Sequence, residues 1–367
     1  MKSHLLASTL LLGMTSAWAS GIDRSGQGLG ALFEPGNYLE VSINRIIPEV
    51  RGRDMSGGHT GDVAGDYNLS SLSLKLDASD RLSFGFVLDQ PYGGDLLYGN
   101  GTPLLAGTLV DTASHALLGL ARYRFNEYFS VHGGMRIQRS SARVHLKGLA
   151  YGPVDGYQLR LDPDTASAPV VGAAFEYPAI ALRLAATYHD AIRHRFKTRE
   201  SAPLPPLNGS SSTEVTTPRA INVDFQTGID PDTLLFGRLR WVKWSEFRVD
   251  PLLFEGLTGQ GLVNQRNTRI WTLGLVRQLT PTWAGSVSVD YEGHTRPIHS
   301  PLSPSSGKKG VTLAAIHSRD NYRITAGISY VRLGNARLAT STPGVEQARM
   351  GDDNHVLGVG IRIGWAF

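Results

Sequence analysis

The sequence contains no cysteine, and beyond residue 19 it has no unbroken apolar run long enough to cross a bilayer as a helix. The first absence excludes a disulfide framework and a thiolate metal site. The second excludes a spanning helix but leaves a membrane barrel open, because barrel strands alternate apolar and polar residues and their mean hydropathy resembles that of a soluble protein. Helical periodicity is also almost absent along the chain.

The charge balance is basic, with a net charge of +4 over 367 residues. The cations are not clustered; they fall singly, often at alternate positions within apolar segments. This pattern argues against a nucleic-acid partner and suits the lining of a polar lumen.

The N-terminus has the features of a signal peptide. Lys2 precedes a short apolar run, and Ala17-Trp18-Ala19 forms a small-x-small cleavage site, so we predict a signal peptide at 1–19 and a mature chain from Ser20. A buried N-terminal helix is the alternative, since the run is too short for an uncleaved anchor.

Period-two alternation dominates the rest, as in Ser71-Leu72-Ser73-Leu74-Lys75-Leu76-Asp77. We predict fourteen strands, at 37–50, 67–77, 82–90, 112–125, 129–146, 157–177, 180–196, 215–229, 233–246, 267–279, 283–292, 309–317, 321–333 and 355–367. The connections alternate between short turns and mostly long loops such as 197–214, which is typical of an outer-membrane barrel and not of a soluble sandwich. The least regular strand is 157–177, which Pro163 and Pro169 interrupt.

The last strand is amphipathic and ends the chain on Phe367. Such an ending resembles the signal by which bacterial barrel-insertion machinery recognises its clients, so we expect that machinery as a partner. Aromatic residues sit near strand ends, as an interface girdle requires; they are Phe125, Tyr128, Tyr177, Trp271, Trp283, Tyr291 and Trp365. The predicted fold is an all-β transmembrane antiparallel barrel of about 14 strands, in the outer membrane of a Gram-negative bacterium.

Three segments resemble the FadL/TodX family of outer-membrane channels for long-chain fatty acids and other hydrophobic compounds. They are Gly21-Ile22-Asp23-Arg24-Ser25-Gly26-Gln27 with the sequence leading to Tyr38, Asp89-Gln90-Pro91-Tyr92-Gly93-Gly94-Asp95, and Arg240-Trp241-Val242-Lys243-Trp244-Ser245-Glu246-Phe247. The similarity is loose elsewhere, but fourteen strands is also that family's number.

The resemblance implies a mechanism and a division of the chain. It implies an N-terminal hatch at 20–36 inside a barrel at 37–367, where Leu29, Leu32 and Phe33 would meet an acyl chain; a disordered tail is the alternative. It also implies a kink in the third strand that opens a lateral gap, with Pro91, Gly93 and Gly94 as candidates, although an ordinary strand end explains them equally well. The family's frequent Asn-Pro-Ala hatch motif is missing, so no trigger is predicted.

Apolar loops separate this prediction from a general polar-solute porin, the main alternative. Leu96-Leu97-Tyr98, Leu104-Leu105 and Leu252-Leu253-Phe254 would be costly in water but useful in a capture groove. The candidate substrate-binding residues are Leu29, Leu32, Phe33, Leu96, Leu97, Tyr98, Arg238 and Arg240. We therefore predict passive uptake of hydrophobic compounds, most of all long-chain fatty acids, by a monomer in contact with outer-membrane lipid or lipopolysaccharide; a purely structural barrel comes third.

Catalytic and cofactor chemistry have no support in the sequence. Gly26, Gly28 and Gly30 lack the strand and helix of a dinucleotide fold, and His189 and His194 lie on opposite faces of their strand. No Gly-x-Ser-x-Gly elbow occurs. We predict no enzyme activity, no cofactor and no metal site.

Overall fold

The computed structural model describes residues 22–203, 207–294, 298–340, 345–351 and 353–367. The predicted signal peptide and the first two residues of the predicted hatch lie outside these ranges. None of the helices within them is long and apolar enough to cross a membrane.

Fourteen antiparallel strands of the described residues form one large sheet, and three of them are interrupted. They are β1 Tyr38–Glu49, β2 Tyr67–Asp77, β3 Leu82–Asp89 with Gly93–Leu97, β4 Leu109–Arg124, β5 Phe129–His145, β6 Gln158–Tyr177, β7 Leu182–His189 with Ile192–Ala202, β8 Leu207–Thr217 with Ala220–Asp230, β9 Thr233–Val242, β10 Thr268–Gln278, β11 Trp283–Glu292, β12 Lys308–Arg319, β13 Tyr322–Leu333 and β14 His355–Ala366.

The strands close into a barrel. Each pairs with its neighbours in the chain, and β14 pairs with β1 along its whole length, from Tyr38 opposite Ala366 to Glu49 opposite His355. Closure leaves neither β1 nor β14 as a free sheet edge, which a strand in hydrocarbon could not tolerate. The predicted fourteen-strand barrel is confirmed.

Alternation sorts the side chains between the two faces of the wall. Apolar residues such as Ile43, Leu117 and Leu273 point outward and are exposed. The charged singlets predicted to face the lumen are turned inward; Lys75, Arg136, Arg183, Arg240 and Asp224 are buried, while Arg238, Arg323 and Arg362 form ion pairs with Asp224, Glu34 and Glu40. Facing the lumen spares each arginine a cost of about 2–4 kcal/mol at the lipid midplane.

Two strand predictions are corrected. The predicted loop 197–214 is mostly strand, because the alternation of β7 continues to Ala202 and β8 already begins at Leu207. The predicted strand 233–246 ends at Val242, and Trp244–Glu246 forms a 3-10 turn. The prolines predicted to interrupt β6 do not break it: β6 is one strand of 20 residues, since a register shift opposite Ser140–Ala142 absorbs Pro163.

The long loops fold over one end of the barrel; they form what we call the cap. Short strands Gly52–Asp54, Ile298–His299, Arg337–Leu338 and Ala348–Met350 make a small sheet there, and Arg248–Val249 pairs with Val263–Asn264 beside the helix α1 Leu252–Thr258. Asp54 joins two loops, because its carboxylate accepts hydrogen bonds from Thr102 Oγ1 at 2.6 Å and Gly58 N at 2.8 Å. Buried side chains of the cap and of the adjoining strand ends form the largest apolar cluster of the protein.

Candidate functional site

Residues 22–36, the N-terminal segment, lie inside the barrel. Asp23, Gln27, Leu32 and Glu34 are buried there. The only regular structure of the segment is the 3-10 turn Gly30–Phe33. Side chains of the barrel wall donate hydrogen bonds to four of its carbonyl oxygens, those of Gly26, Gln27, Leu32 and Gly36. The described part of this segment therefore occupies the lumen.

Ion pairs and hydrogen bonds fix the start of the segment to β8 and β9. Arg240 donates from Nε to Asp23 Oδ2 at 2.8 Å and from Nη2 to Asp23 Oδ1 at 3.2 Å, a bidentate geometry. Asn222 Nδ2 donates to the carbonyl oxygens of Gly26 and Gln27 at 3.0 and 3.2 Å. Arg240, a candidate substrate contact, is thus engaged by the segment itself.

The other end of the segment is held by β13 and by an apolar cluster. Arg323 Nη1 lies 3.2 Å from Glu34 Oε1. Leu29 and Leu32 pack with Leu118, Leu120 and Val170 of the wall. Burial of these two leucines stabilises the segment by about 1.5–3 kcal/mol each.

Phe33 lies between two arginines. The guanidinium carbons of Arg122 and Arg183 are 4.5 and 4.8 Å from the centre of its ring, and the edge of His132 completes the site at 5.8 Å. Two cations on one ring form a desolvated cation–π site, each contact contributing about 0.5–2 kcal/mol. Phe33 is thus bound to the wall of the barrel.

The third strand is broken between Asp89 and Gly93, and the N-terminal segment pairs with the break. Arg24 N donates to Pro91 O at 2.8 Å, and Gly93 N donates to Ile22 O at 2.9 Å. Proline removes a backbone donor, which favours an interruption at this point. Within the described residues, Tyr67 to Ser71 of β2 pair with β1 and not with β3. A gap between β2 and β3 results.

Arg24 bridges this gap from the lumen side. Its guanidinium lies 4.0 Å from the ring centre of Tyr67 on β2, and Nη2 donates to Asp95 on β3 at 2.9 Å. Gly93 gives it room, because a Cβ there would lie 2.4 Å from Arg24 Nη1. Arg24 is a functional candidate that the sequence analysis did not single out, since a lone arginine before the first strand carries no periodic signal.

The three segments with family resemblance meet at this point. Ile22, Tyr92 and Trp244 belong to one buried cluster, with Tyr92 and Trp244 edge to face at 5.8 Å. The cluster joins these distant segments and holds the N-terminal segment against the broken strand.

Two cavities lie on either side of the N-terminal segment. The upper cavity, of about 140 Å³, is beneath the cap and is lined mainly by apolar side chains, among them Ile22, Val144, Leu161, Phe196, Val215 and Phe247. The side cavity, of about 90 Å³, reaches the gap and is polar, lined by Ser25, Ser42, Ser70, Ser71, Asp89, Gln90, Arg238 and Arg362 among others. Among the described lining residues of the upper cavity, Arg266 is the one with a formal charge.

The predicted site residues are not all in one place. Arg238 lines the side cavity and pairs with Asp224, whereas Leu29, Leu32 and Phe33 face the wall and not the upper cavity. Leu96 and Tyr98 are buried under the cap, with Tyr98 Oη donating to Pro301 O at 2.7 Å, while Leu97 points outward. Strand alternation at the end of β3 separates these three neighbours. The residues of β4 to β8 that line the upper cavity were missed, since on the sequence they look like any inward face.

No protein-family model and no curated protein matches the sequence. Solved structures do match the fold. A FadL homologue of Pseudomonas aeruginosa superposes with a TM-score of 0.75 at 16% identity, over 92% of each chain. The toluene transporter TodX of P. putida gives 0.65 at 12% identity over 91% of this chain and 90% of its own. The toluene transporter TbuX of Ralstonia pickettii gives 0.62 at 12% identity over 92% and 91%. The chain therefore has the fold of the FadL and TodX type of outer-membrane barrel.

Proposed function

We propose that this protein is an outer-membrane channel for passive uptake of hydrophobic compounds, with long-chain fatty acids as the principal substrates. The observation that carries the proposal is the upper cavity, which is apolar, roofed by the cap and closed below by Ile22 and Tyr92. In this proposal the cap is extracellular and the short turns are periplasmic. The structural neighbours named as toluene transporters support the same class of substrate.

The cavity suits ligands that bind through apolar contact. Each methylene buried from water contributes about 0.8 kcal/mol, so an acyl chain needs few polar partners. Arg266 at the lining is the group that a carboxylate would meet. The volume of about 140 Å³ is close to that of an engineered apolar cavity of about 150 Å³ that binds benzene. A monoaromatic ring fits as the cavity stands, and a long acyl chain requires the N-terminal segment to move.

The N-terminal segment acts as the hatch in this proposal, and the gap between β2 and β3 as the exit. A ligand in the upper cavity contacts Ile22, which is two residues from Arg24. Displacement of this stretch would withdraw Arg24 from Tyr67 and Asp95 and open the gap sideways. The polar lining of the side cavity favours a short transit there over a second resting site for an apolar ligand.

A cavity-filling substitution tests the proposal. Ala142→Phe places a ring in the upper cavity, and Ala173→Phe places the same ring on the outward face of β6 as the matched control. Uptake of labelled oleate and of labelled toluene is measured in proteoliposomes. We expect the first variant to lose most uptake of both compounds and the second to keep it. Equal uptake by both variants contradicts the proposed site, and loss of toluene uptake alone contradicts fatty acids as substrates.

The polar side cavity also favours a second candidate, a channel for small polar solutes. That function requires a continuous aqueous path past the N-terminal segment. Single-channel conductance and sugar uptake of the full-length mature chain distinguish the two. Rapid passage of small sugars through the intact protein would support the second candidate over the first.

A further inference from the structure

The outer segment of β7, Ile192–Ala202, carries cations on its outward face. Arg193, Arg195, Lys197 and Arg199 are exposed at alternate positions, while the residues between them are buried. The alternation shows that these four side chains point outward from the barrel wall. Charges in such a position face lipid or lipid headgroups and not the lumen.

Neighbouring strands extend this surface. Arg139 and Arg143 of β5 and Arg160 of β6 are also exposed, and the sheet register places Arg143 opposite Arg160 and Arg160 opposite Arg199. We call this surface the basic patch; its members are Arg139, Arg143, Arg160, Arg193, Arg195, Lys197 and Arg199.

The basic patch begins where the apolar part of the wall ends. On β5 the outward residues Phe129, Val131, Met135 and Ile137 are exposed and apolar, and Arg139 follows. The span from Phe129 to Ile137 is about 27 Å along a strand at about 3.4 Å per residue. With a strand tilt of about 40° it covers roughly 21 Å of the membrane normal, close to the apolar band of about 25 Å in such barrels. Arg139 therefore lies at the level of the headgroups, at the end of the barrel that bears the cap.

The cations outnumber the carboxylates on this face. Asp162 accepts from Arg160 Nε at 2.8 Å and from Arg199 Nη2 at 2.6 Å. Asp111 and Glu214 are exposed on the same face, opposite Arg143 and Arg195 in the sheet register, and Asp164 is turned toward the buried His194 at 3.0 Å. Among the described residues, no carboxylate forms an ion pair with Arg139, Arg143, Arg195 or Lys197. An excess of positive charge at the headgroup level is left to an external anion.

We propose that the basic patch binds a phosphorylated glycolipid of the outer leaflet, the lipid A part of lipopolysaccharide, through its phosphates. Arginine forks match phosphate oxygens in a bidentate geometry. The apolar wall directly below would contact the acyl chains of the same molecule, so both halves of the lipid have complementary surfaces. This inference rests on the outer-membrane location in the proposed function, and the patch lies away from the gap between β2 and β3 through which uptake is proposed.

A lipid-binding experiment tests the inference. Purified hexa-acyl lipid A with both phosphates is added to the mature protein in detergent, and binding is measured by native mass spectrometry. The variant Arg195→Gln with Lys197→Gln removes two cations of the patch. Its matched control, Arg269→Gln with Lys309→Gln, removes two exposed cations from β10 and β12. We expect lipid A to bind the variant about 30-fold more weakly, since each cation contributes about a fivefold factor, and to bind the control as it binds the parent.

Two further lipids test the chemistry. Lipid A without phosphates should not bind above background, and phosphatidylglycerol should bind much more weakly than lipid A. Equal affinity of the variant and the parent, or equal affinity for phosphatidylglycerol, overturns the inference. Heat-modifiable gel migration checks that each variant is folded; if the double variant is not, Lys197→Gln alone is used, with an expected loss of about fivefold. No transport substrate enters this assay, so a failed uptake experiment and a failed lipid experiment remain distinct.

Discussion

Removing the Arg24 side chain should open the barrel wall between β2 and β3. In the present structure Arg24 holds the two sides of the gap by contacts to Tyr67 and Asp95. We expect Arg24→Ala to increase the rate of substrate uptake and to admit water-soluble reagents to the gap. Gly93→Ala should act in the same direction without touching Arg24, because its Cβ would lie 2.4 Å from Arg24 Nη1 and 2.5 Å from Cζ and so displace the guanidinium.

The magnitude follows from the two contacts. The Asp95 carboxylate is partly exposed, so the ion pair contributes about 0.2–1 kcal/mol. The buried ring of Tyr67 contributes about 0.5–2 kcal/mol as a cation–π partner. Their sum, about 1–3 kcal/mol, changes the ratio of open to closed gap by about 5- to 150-fold. Arg24→Lys keeps the charge but not the planar stacking, so its effect should be intermediate.

The assay can use a single reporter thiol, because the chain has no cysteine of its own. Ser71→Cys places that thiol on β2 at the gap, where Ser71 faces inward, lies 2.7 Å from Ser42 Oγ and lines the side cavity. The rate of its modification by a membrane-impermeant maleimide is measured in proteoliposomes, beside the uptake of labelled toluene. Arg45→Ala is the matched control, since Arg45 also pairs with an aspartate, Asp66 at 2.7 Å, but outside the lumen.

One result would refute this reasoning. If the maleimide modifies the reporter thiol of the Arg24→Ala and Gly93→Ala variants no faster than that of the Arg45→Ala control, Arg24 does not hold the gap closed. Faster modification together with unchanged uptake would show that the gap opens but is not the exit.

Three further predictions concern the N-terminal segment, the cap and the C-terminus. Deletion of residues 20–34 should raise single-channel conductance in planar bilayers, since the segment fills the lumen; unchanged conductance would contradict its role as a hatch. Burial raises the pKa of Asp54, but hydrogen bonds from Ser56 and Thr102 outweigh it and hold the pKa below its ordinary value of 3.8. The stabilisation of the cap by Asp54 is therefore present at neutral pH and lost as the pH falls through that lowered pKa. Limited proteolysis of the parent and of Asp54→Ala is measured across pH 2.5–7. The parent should be cleaved more slowly at neutral pH, and the two cleavage rates should become equal at the acidic end. Deletion of Phe367 should slow assembly by purified insertion machinery severalfold with little loss of stability in barrels once formed, because its ring is exposed beside Trp365 and its backbone N makes one hydrogen bond, to Asn37 O.

The barrel could be predicted because its signal is repeated many times. Every strand carries the period of two, and a turn error moves one boundary without changing the architecture. The boundary errors have a common cause: β7 and β8 extend beyond the apolar band, where both faces of a strand can be polar, so 197–214 has the composition of a loop. Polar composition and strand geometry are compatible wherever water reaches both faces.

The site could not be predicted to the same degree, because it depends on which inward residue meets which part of a segment without periodicity. Arg240 was predicted as a substrate contact, but its partner Asp23 is 217 residues away and nothing in the local sequence links the two. Tyr98 was predicted as part of an apolar capture loop, and the sequence does not show that its hydroxyl donates to Pro301 O in the cap. The family resemblance indicated which three segments matter, but the sequence did not show that they contact one another.

The position of the N-terminal segment has a consequence for biogenesis. The residues that leave the ribosome first after the predicted signal peptide acquire their partners late, since Asp23 waits for Arg240 and Glu34 for Arg323, 289 residues downstream. Throughout that interval both carboxylates lack their native partners. The lumen can be occupied only when most of the wall is present, and the wall closes only when β14 reaches β1. The last steps of assembly therefore depend on the C-terminal strands. A product that stops before β14 would leave one edge of β1 and one edge of β13 unpaired.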